Sequence, residues 1–95
     1  MTITIKTTNT NGHLIVYVIN SSGVTILTAK DGETKSCMLT PGYTYRLEFH
    51  MWSSGAAKYK IEANMDPANP GFPPFTFEKE YDDAEQDMGG FYFTV

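Results

Sequence analysis

The sequence predicts an all-β protein, an antiparallel β-sandwich of about eight strands. Apolar and polar residues alternate in short runs, turn residues separate these runs, and no segment repeats apolar residues at helical spacing over three turns. Regularly spaced short strands with turn signals between them are typical of β-sandwiches and barrels. We expect residues 1–95 to form one domain around one core, because a chain of this length buries about two-thirds of its unfolded surface.

The first four predicted strands are each followed by a turn that contains glycine. These strands cover residues 2–8, 13–20, 24–29 and 34–39. In the first strand Ile3 and Ile5 share one face, because side chains alternate along a strand. Asn11-Gly12 then predicts a hairpin turn, since both residues accept positive φ. Similar turn residues separate the strands that follow.

A Pro-Gly corner separates the fourth strand from the fifth, which covers residues 43–52. Pro41 presets φ at about −65°, and Gly42 supplies the positive φ that a tight reversal needs. The fifth strand places Leu47 and Phe49 on one face and charged residues on the other. A sixth strand, residues 57–64, alternates in the same way.

Charge pairing predicts how the fifth and sixth strands meet. We expect one hairpin, with Glu48 opposite Lys60 and Arg46 opposite Glu62. Opposite charges across neighbouring strands contribute about 0.2–1 kcal/mol per pair. A slip of two residues would set Glu48 against Glu62, which is unfavourable, so the first register is the predicted one.

The last third of the chain differs in composition. Residues 65–74 hold four prolines, and this proline loop is not a central strand because each proline removes a backbone donor. The seventh strand, residues 75–81, follows it. An acidic loop, residues 82–90, then leads to the eighth strand, residues 91–95.

The second predicted strand is apolar on both faces. One face carries Leu14, Val16 and Val18, and the other carries Ile15, Tyr17 and Ile19. A strand that is apolar on both sides is expected to be covered on both sides. Either the proline loop covers the Ile15/Tyr17/Ile19 face, or another subunit does, which predicts a homo-oligomer.

Charge and cysteine content restrict the class of partner and compartment. The formal charge is −4 and the basic residues are scattered singly, so we expect no nucleic-acid partner. Cys37 is the single cysteine, so no intrachain disulfide forms. Together with a start that lacks a signal-peptide pattern, this favours a cytoplasmic compartment. No apolar run approaches ~20 residues, and we expect no membrane span.

The sequence predicts that the protein is not an enzyme. Its candidate catalytic groups are His13, His50 and the thiol of Cys37. A Cys–His pair acts only when the two groups lie within hydrogen-bond distance, and no motif brings them together. His50 shares the charged face of its strand with Arg46 and Glu48, as a solvated surface histidine does.

Exposed aromatic residues give two binding hypotheses. Trp52, Tyr92 and Phe72 are the candidate contact rings, with Arg46 and His50 as polar neighbours. Such rings contribute strongly to protein interfaces and also stack on sugar rings. We therefore expect a protein partner or a second copy, with carbohydrate as the alternative ligand. Each ring has a structural alternative, namely packing under its own loop.

The acidic loop is a candidate calcium site. It offers Asp82, Asp83, Glu85 and Asp87. Ca²⁺ takes six to eight oxygen ligands, commonly from a loop of alternating acids that ends in glutamate. This loop lacks the final glutamate and its glycine comes one position late, so a solvated acidic loop is the other interpretation. No other cofactor is expected.

The corner Leu39-Thr40-Pro41-Gly42-Tyr43-Thr44-Tyr45 resembles the corner of fibronectin-type-III and transthyretin-like sandwich domains. The resemblance implies an immunoglobulin-like sandwich, and a jelly-roll-like one is the alternative. It also implies that the Tyr45 hydroxyl bonds back to the corner backbone. The function it implies is binding or adhesion. The sequence thus predicts a small non-catalytic interaction or assembly module. The alternative is a lectin-like, carbohydrate-binding domain, with or without Ca²⁺.

Overall fold

The computed structural model describes residues 1–69, 72 and 74–95. The strands are β1 (Thr2–Thr10), β2 (His13–Ile19), β3 (Thr25–Lys30), β4 (Thr34–Met38), β5 (Thr44–Ser53), β6 (Ala57–Asp66), β7 (Phe75–Tyr81) and β8 (Glu85–Thr94). They form two antiparallel four-stranded sheets in the orders β4-β1-β6-β7 and β3-β2-β5-β8. We call these the β1/β6 sheet and the β2/β5 sheet. The predicted all-β sandwich is confirmed. Within the described residues, no helix is long and apolar enough to cross a bilayer.

The core lies between the two sheets and follows the two-residue periodicity of the strands. Alternate residues of β1, β2, β5 and β6 point inward and are buried, while their neighbours point outward. Leu14, Val16 and Val18 of β2 face Ile3 and Ile5 of the opposite sheet's β1 across this layer. The inward positions predicted for Ile3, Ile5, Leu47 and Phe49 are therefore confirmed.

The turns adopt the backbone that their residues predict. Asn11 and Gly12 have φ of 56° and 67°, which gives the predicted hairpin turn between β1 and β2. Gly42 has φ of 90° at the corner. The backbone N–H of Thr40 donates a hydrogen bond of 2.9 Å to the Tyr45 hydroxyl, so the tyrosine does bond back to the corner.

The predicted β5–β6 hairpin is wrong. β5 pairs with β2 and β8, and β6 pairs with β1 and β7, so the two strands belong to different sheets. Glu48 lies opposite Tyr17 and Gly90 instead of Lys60. The apolar faces of β5 and β6 pack against each other across the core, with the rings of Phe49 and Tyr59 6.4 Å apart. Burying two apolar faces outweighs the small contribution of the predicted surface charge pairs.

The eighth strand begins six residues earlier than predicted, at Glu85 instead of residue 91. It pairs with β5 from Glu85 opposite Ser53 to Thr94 opposite Thr44. The acidic residues and the Gly89-Gly90 pair are typical of a loop. In this strand, however, glycine is required because neighbouring atoms of β5 leave no room for a side chain. A Cβ on Gly89 would lie 2.7 Å from Cζ of Phe49, and a Cβ on Gly90 would meet the carbonyl oxygen of Leu47.

Candidate functional site

The outer faces of the two sheets differ in chemistry. The outer face of the β1/β6 sheet carries mainly charged residues and threonines, including Thr8 opposite Lys60 and Lys60 opposite Glu78. The outer face of the β2/β5 sheet carries aromatic and aliphatic residues around a short charged segment. Since the solvent-facing side of an antiparallel sheet is normally polar, the second face is the unusual one.

Strand register builds this second face in rows across β2, β5 and β8. The rows are Ile19–Arg46–Tyr92, Tyr17–Glu48–Gly90, Ile15–His50–Met88 and His13–Trp52–Gln86. We call the surface formed by these residues the β2/β5 outer face. It contains every predicted partner- or ligand-binding residue except Phe72. The sequence indicated two separate sets, the apolar face of β2 and the exposed rings with their polar neighbours. Residues of the same parity on paired strands lie on the same side of a sheet, so both sets share one surface.

The β2/β5 outer face is only partly shielded within one chain. Ile15, Tyr17 and Ile19 are half-buried by their neighbours on the sheet, and the Tyr17 ring meets His50 edge-on at 6.0 Å. Trp52 is 39% exposed, and on β8 Tyr92 reaches 70%. The described part of the chain does not cover this face completely, and cover by another subunit stays a prediction.

Arg46, Glu48 and His50 form the charged segment in the middle of this face. The Arg46 guanidinium lies 3.8 Å from the Glu48 carboxylate, and Nε2 of His50 lies 3.4 Å from the same group. Arg46 also donates to the Tyr92 hydroxyl at 3.3 Å and stacks over that ring at 5.3 Å. The Tyr92 bond and the nearby Glu48 charge both raise the pKa of Arg46. The segment therefore combines a fixed positive charge with one negative charge.

A shallow groove of about 440 Å³ lies beside Trp52 at the β5–β8 side of the face. The outward side chains that line it are His50, Trp52, Gln86 and Met88. The Trp52 ring contacts the His13 ring, with 5.2 Å between centroids. The groove therefore presents one indole, two groups that form hydrogen bonds and one thioether.

Asp31 holds His13 at the rim of the same region. Nδ1 of His13 lies 3.3 Å from the Asp31 carboxylate, which also accepts a 3.0 Å bond from the backbone N–H of Leu14. These bonds, with that of Leu14 as the largest influence, hold the pKa of Asp31 below its usual value. Asp31 therefore stays ionised and fixes the position of the histidine that packs on Trp52.

Phe72 is not a contact residue of the surface, and the prediction that it binds a partner is wrong. It is 3% exposed and packs in the core against Phe93, with ring centroids 4.6 Å apart, and against Phe75 and Phe91. A phenylalanine within a proline-rich loop gains more from the core than from solvent. The proline loop as a contact surface is otherwise untested at Pro70, Gly71 and Pro73, which lie outside the described residues.

The structure does not bring the four predicted calcium ligands together. Asp87 points between the sheets, where its carboxylate accepts hydrogen bonds from Tyr59 and Tyr81. Asp82, Asp83 and Glu85 are exposed near the turn between β7 and β8. Among the described residues, no three His, Cys, Asp or Glu side chains are placed to share an ion. The calcium hypothesis therefore gains no geometric support.

The candidate catalytic groups are also separated. Cys37 belongs to β4 of the β1/β6 sheet, whereas His50 lies on the outer face of the other sheet. Burial raises the pKa of the Cys37 thiol, which disfavours the thiolate. His50 does lie beside a carboxylate, that of Glu48, on an open face.

Sequence reasoning missed Gln86 and Met88, which line the groove. Both fell in the segment interpreted as an acidic loop. Their signal was present in the spacing, because Gln86, Met88 and Tyr92 share the same parity. Extending the last strand back through the two glycines would have placed them on the face.

In comparisons with known proteins, the chain matches no family model, no curated protein and no solved structure. The Tyr45–Thr40 bond agrees with the resemblance of the corner to fibronectin-type-III and transthyretin-like domains. A relationship to those families stays a prediction.

Proposed function

We propose that this chain is a small non-catalytic interaction or assembly module that binds a protein partner or itself through the β2/β5 outer face. The contrast between the two outer faces carries this proposal. One is charged and rich in threonine, and the other combines half-buried Ile15, Tyr17 and Ile19 with exposed Trp52 and Tyr92.

The residue types of the β2/β5 outer face match those of protein interfaces. Tyrosine, tryptophan and arginine dominate binding energy at interfaces, and Tyr17, Trp52, Arg46 and Tyr92 all lie on this face. Clusters of exposed apolar residues on one surface, rimmed by polar groups, mark interaction sites. Lys30 at the end of β3 and Gln86 on β8 belong to such a rim.

The charged segment within the face suits recognition. Glu48 lies 3.8 Å from the Arg46 guanidinium on its own strand, so its charge is partly compensated before any partner binds. Charges placed in this way contribute to partner choice and to the rate of association more than to affinity. We infer that the surrounding apolar residues supply most of the binding energy.

Two matched variants test the proposal. Tyr17→Lys places a lysine opposite Glu48 on the β2/β5 outer face, and Thr76→Lys places one opposite Glu62 on the β1/β6 outer face. Both new lysines face a glutamate, so both sheets keep a favourable cross-strand pair. We expect the wild-type mass in sedimentation experiments to rise with concentration, Thr76→Lys to behave like it, and Tyr17→Lys to associate less strongly than either. Identical behaviour of the two variants contradicts a role for the face.

Carbohydrate binding is the second candidate function, favoured by the groove beside Trp52. An indole next to the hydrogen-bonding groups His50 and Gln86 matches the way proteins hold sugars, with the ring stacked and the hydroxyls bonded. A glycan array with and without EDTA tests it, comparing Trp52→Ala with Tyr43→Ala, whose ring is exposed away from the groove. Binding that survives Trp52→Ala removes this residue from the site.

A further inference from the structure

The free edges of the two sheets are protected to different degrees. In the described part of the chain the edge strands are β4 and β7 in one sheet and β3 and β8 in the other. β4 and β3 are short, and the pairing of β3 with β2 is irregular at Val18/Ile19. β7 carries the alternating charges of Glu78, Lys79 and Glu80. Short length, irregular pairing and charge are all known to discourage pairing with another chain.

β8 has none of these protections along most of its length. It is ten residues long, and from Met88 to its end at Thr94 it contains no charged residue and no proline. Met88 is 67% exposed, and Tyr92 is exposed as well. A long uncharged edge strand with exposed apolar side chains is a template for adding a strand.

Alternation of backbone hydrogen bonds shows which groups of β8 point to its free edge. The backbone N–H of Val95 donates to the carbonyl of Tyr43, the residue before β5. The odd-numbered residues of β8 therefore direct their backbone groups toward β5. The even-numbered residues therefore direct theirs away from it. These residues are Gln86, Met88, Gly90, Tyr92 and Thr94.

We propose that two copies of this chain join edge to edge through antiparallel β8 strands, with the two-fold axis at Gly90. This register pairs even-numbered residues with even-numbered residues, so the free backbone groups of both edges are satisfied together. It sets Gly90 against Gly90 of the second copy and Met88 against Tyr92 of the second copy. The proposal rests on the assembly function above and names a second copy as the partner.

The side chains agree with this register. Methionine and tyrosine opposite each other form a favourable sulfur–aromatic contact on the outer side. On the inner side Gly89 meets Phe91 of the second copy, and a ring beside a strand glycine covers the exposed backbone. Asp87 meets Phe93, so no two like charges oppose each other. The pairing joins two β2/β5 sheets into one continuous sheet, which places the two outer faces side by side.

Cysteine cross-linking tests the register. In a Cys37→Ser background, Met88→Cys/Tyr92→Cys is expected to give a covalent dimer with a short thiol-to-thiol cross-linker, because opposed Cα atoms lie about 5.5 Å apart. Gln86→Cys alone is expected to give none, since its two copies lie about 27 Å apart, eight residues along the paired strands. Val24→Cys/Met38→Cys, with both positions exposed and away from β8, controls for random collision. A Gln86 cross-link, or no dimer from the 88/92 pair, overturns the proposal.

A proline variant separates this proposal from the proposed function. Met88→Pro removes a donor that points to the free edge and leaves the bonds to β5 intact. We therefore expect loss of the dimer, with an unchanged melting temperature at dilutions where the wild type is monomeric too. If Tyr17→Lys abolishes association while Met88→Pro and the 88/92 pair show no edge contact, the edge is wrong and the outer face stands. If the wild type stays monomeric at all concentrations, the edge proposal is wrong, and the outer face can serve only a different protein partner.

Discussion

The hydroxyl of Tyr59 donates a 2.6 Å hydrogen bond to Oδ2 of Asp87, and this bond links central strand β6 of one sheet to edge strand β8 of the other. Tyr81 donates a second bond of 2.7 Å to the same oxygen, and the Lys79 ammonium lies 3.4 Å from it. All three partners come from the β1/β6 sheet. The Asp87 carboxylate therefore ties the two sheets together along the open side of the sandwich.

Replacing Asp87 is expected to destabilise the fold. The Asp87→Ala variant loses two hydrogen bonds to a charged acceptor that is only 22% exposed, each of which contributes about 1.5–3 kcal/mol. We expect the free energy of unfolding to fall by about 3 kcal/mol in urea titrations. Asp82→Ala, in the exposed turn nearby, is the control and should change it by less than about 0.5 kcal/mol. Equal effects of the two would contradict the role given to Asp87.

The same cluster predicts loss of stability in acid. Although burial opposes it, hydrogen bonds from Tyr59 and Tyr81 and the Lys79 charge hold the pKa of Asp87 below its ordinary value of 3.8. The stabilisation is therefore complete above the unfolded pKa and is lost as pH falls through the lower folded pKa. Unfolding titrations between neutral pH and strong acid should show a steeper loss for the wild type than for Asp87→Asn. Parallel curves would show that Asp87 does not contribute.

In alkaline solution the fold is expected to lose stability as pH rises, because of Tyr59. Burial, followed by the bond to Asp87, raises the pKa of Tyr59 far above its ordinary value of 10.0. The unfolded chain then releases this proton at about pH 10 while the folded chain retains it, so stability is lost as pH rises above that value. Tyr59→Phe should start from lower stability and lose less of it above pH 10. Thermal melts across that range measure both quantities.

The sequence was informative where local chemistry decides the structure. Alternation placed most strands within two residues of their observed limits, and Asn11-Gly12 and Pro41-Gly42 adopt the expected turns. These features depend on side-chain period and on φ preferences, which act between neighbours in the chain. Parity also places the residues of β2 and β5, and Tyr92, on the correct face of their strands, whereas Gln86 and Met88 are missed.

What could not be predicted depends on contacts between distant residues. The partners of β5 follow from how two sheets share one core, and the weak charge pairing of Glu48 with Lys60 does not determine them. The sequence predicts too short an eighth strand, because acidic residues and Gly89-Gly90 are typical of loops. Gly89 lies in the strand because the Phe49 ring on β5 packs against it and leaves no room for a side chain. Sequence alone does not reveal this contact.

The corner bond gives a test of local stability. Tyr45→Phe removes the acceptor for the Thr40 N–H while keeping the ring, which stacks on Phe93 at 5.9 Å. We expect the free energy of unfolding to fall by about 1 kcal/mol, the usual contribution of one such bond. Tyr43→Phe, exposed beside the same corner, is the control and should change it little. No difference between the two variants would indicate that water replaces the Tyr45 bond.

The contact between Phe49 and Gly89 predicts a compensating pair of substitutions. Gly89→Ala adds a Cβ that would lie 2.7 Å from the Phe49 ring, and relieving such overpacking costs about 1–3 kcal/mol. Gly55→Ala is the matched control, because a Cβ there meets no atom within 4 Å. Phe49→Leu replaces the ring with a smaller side chain and makes room for the added Cβ. The double variant with Gly89→Ala should therefore be more stable than the sum of the single effects predicts. Additive free energies of unfolding in the double-mutant cycle would show that the ring does not determine why residue 89 is glycine.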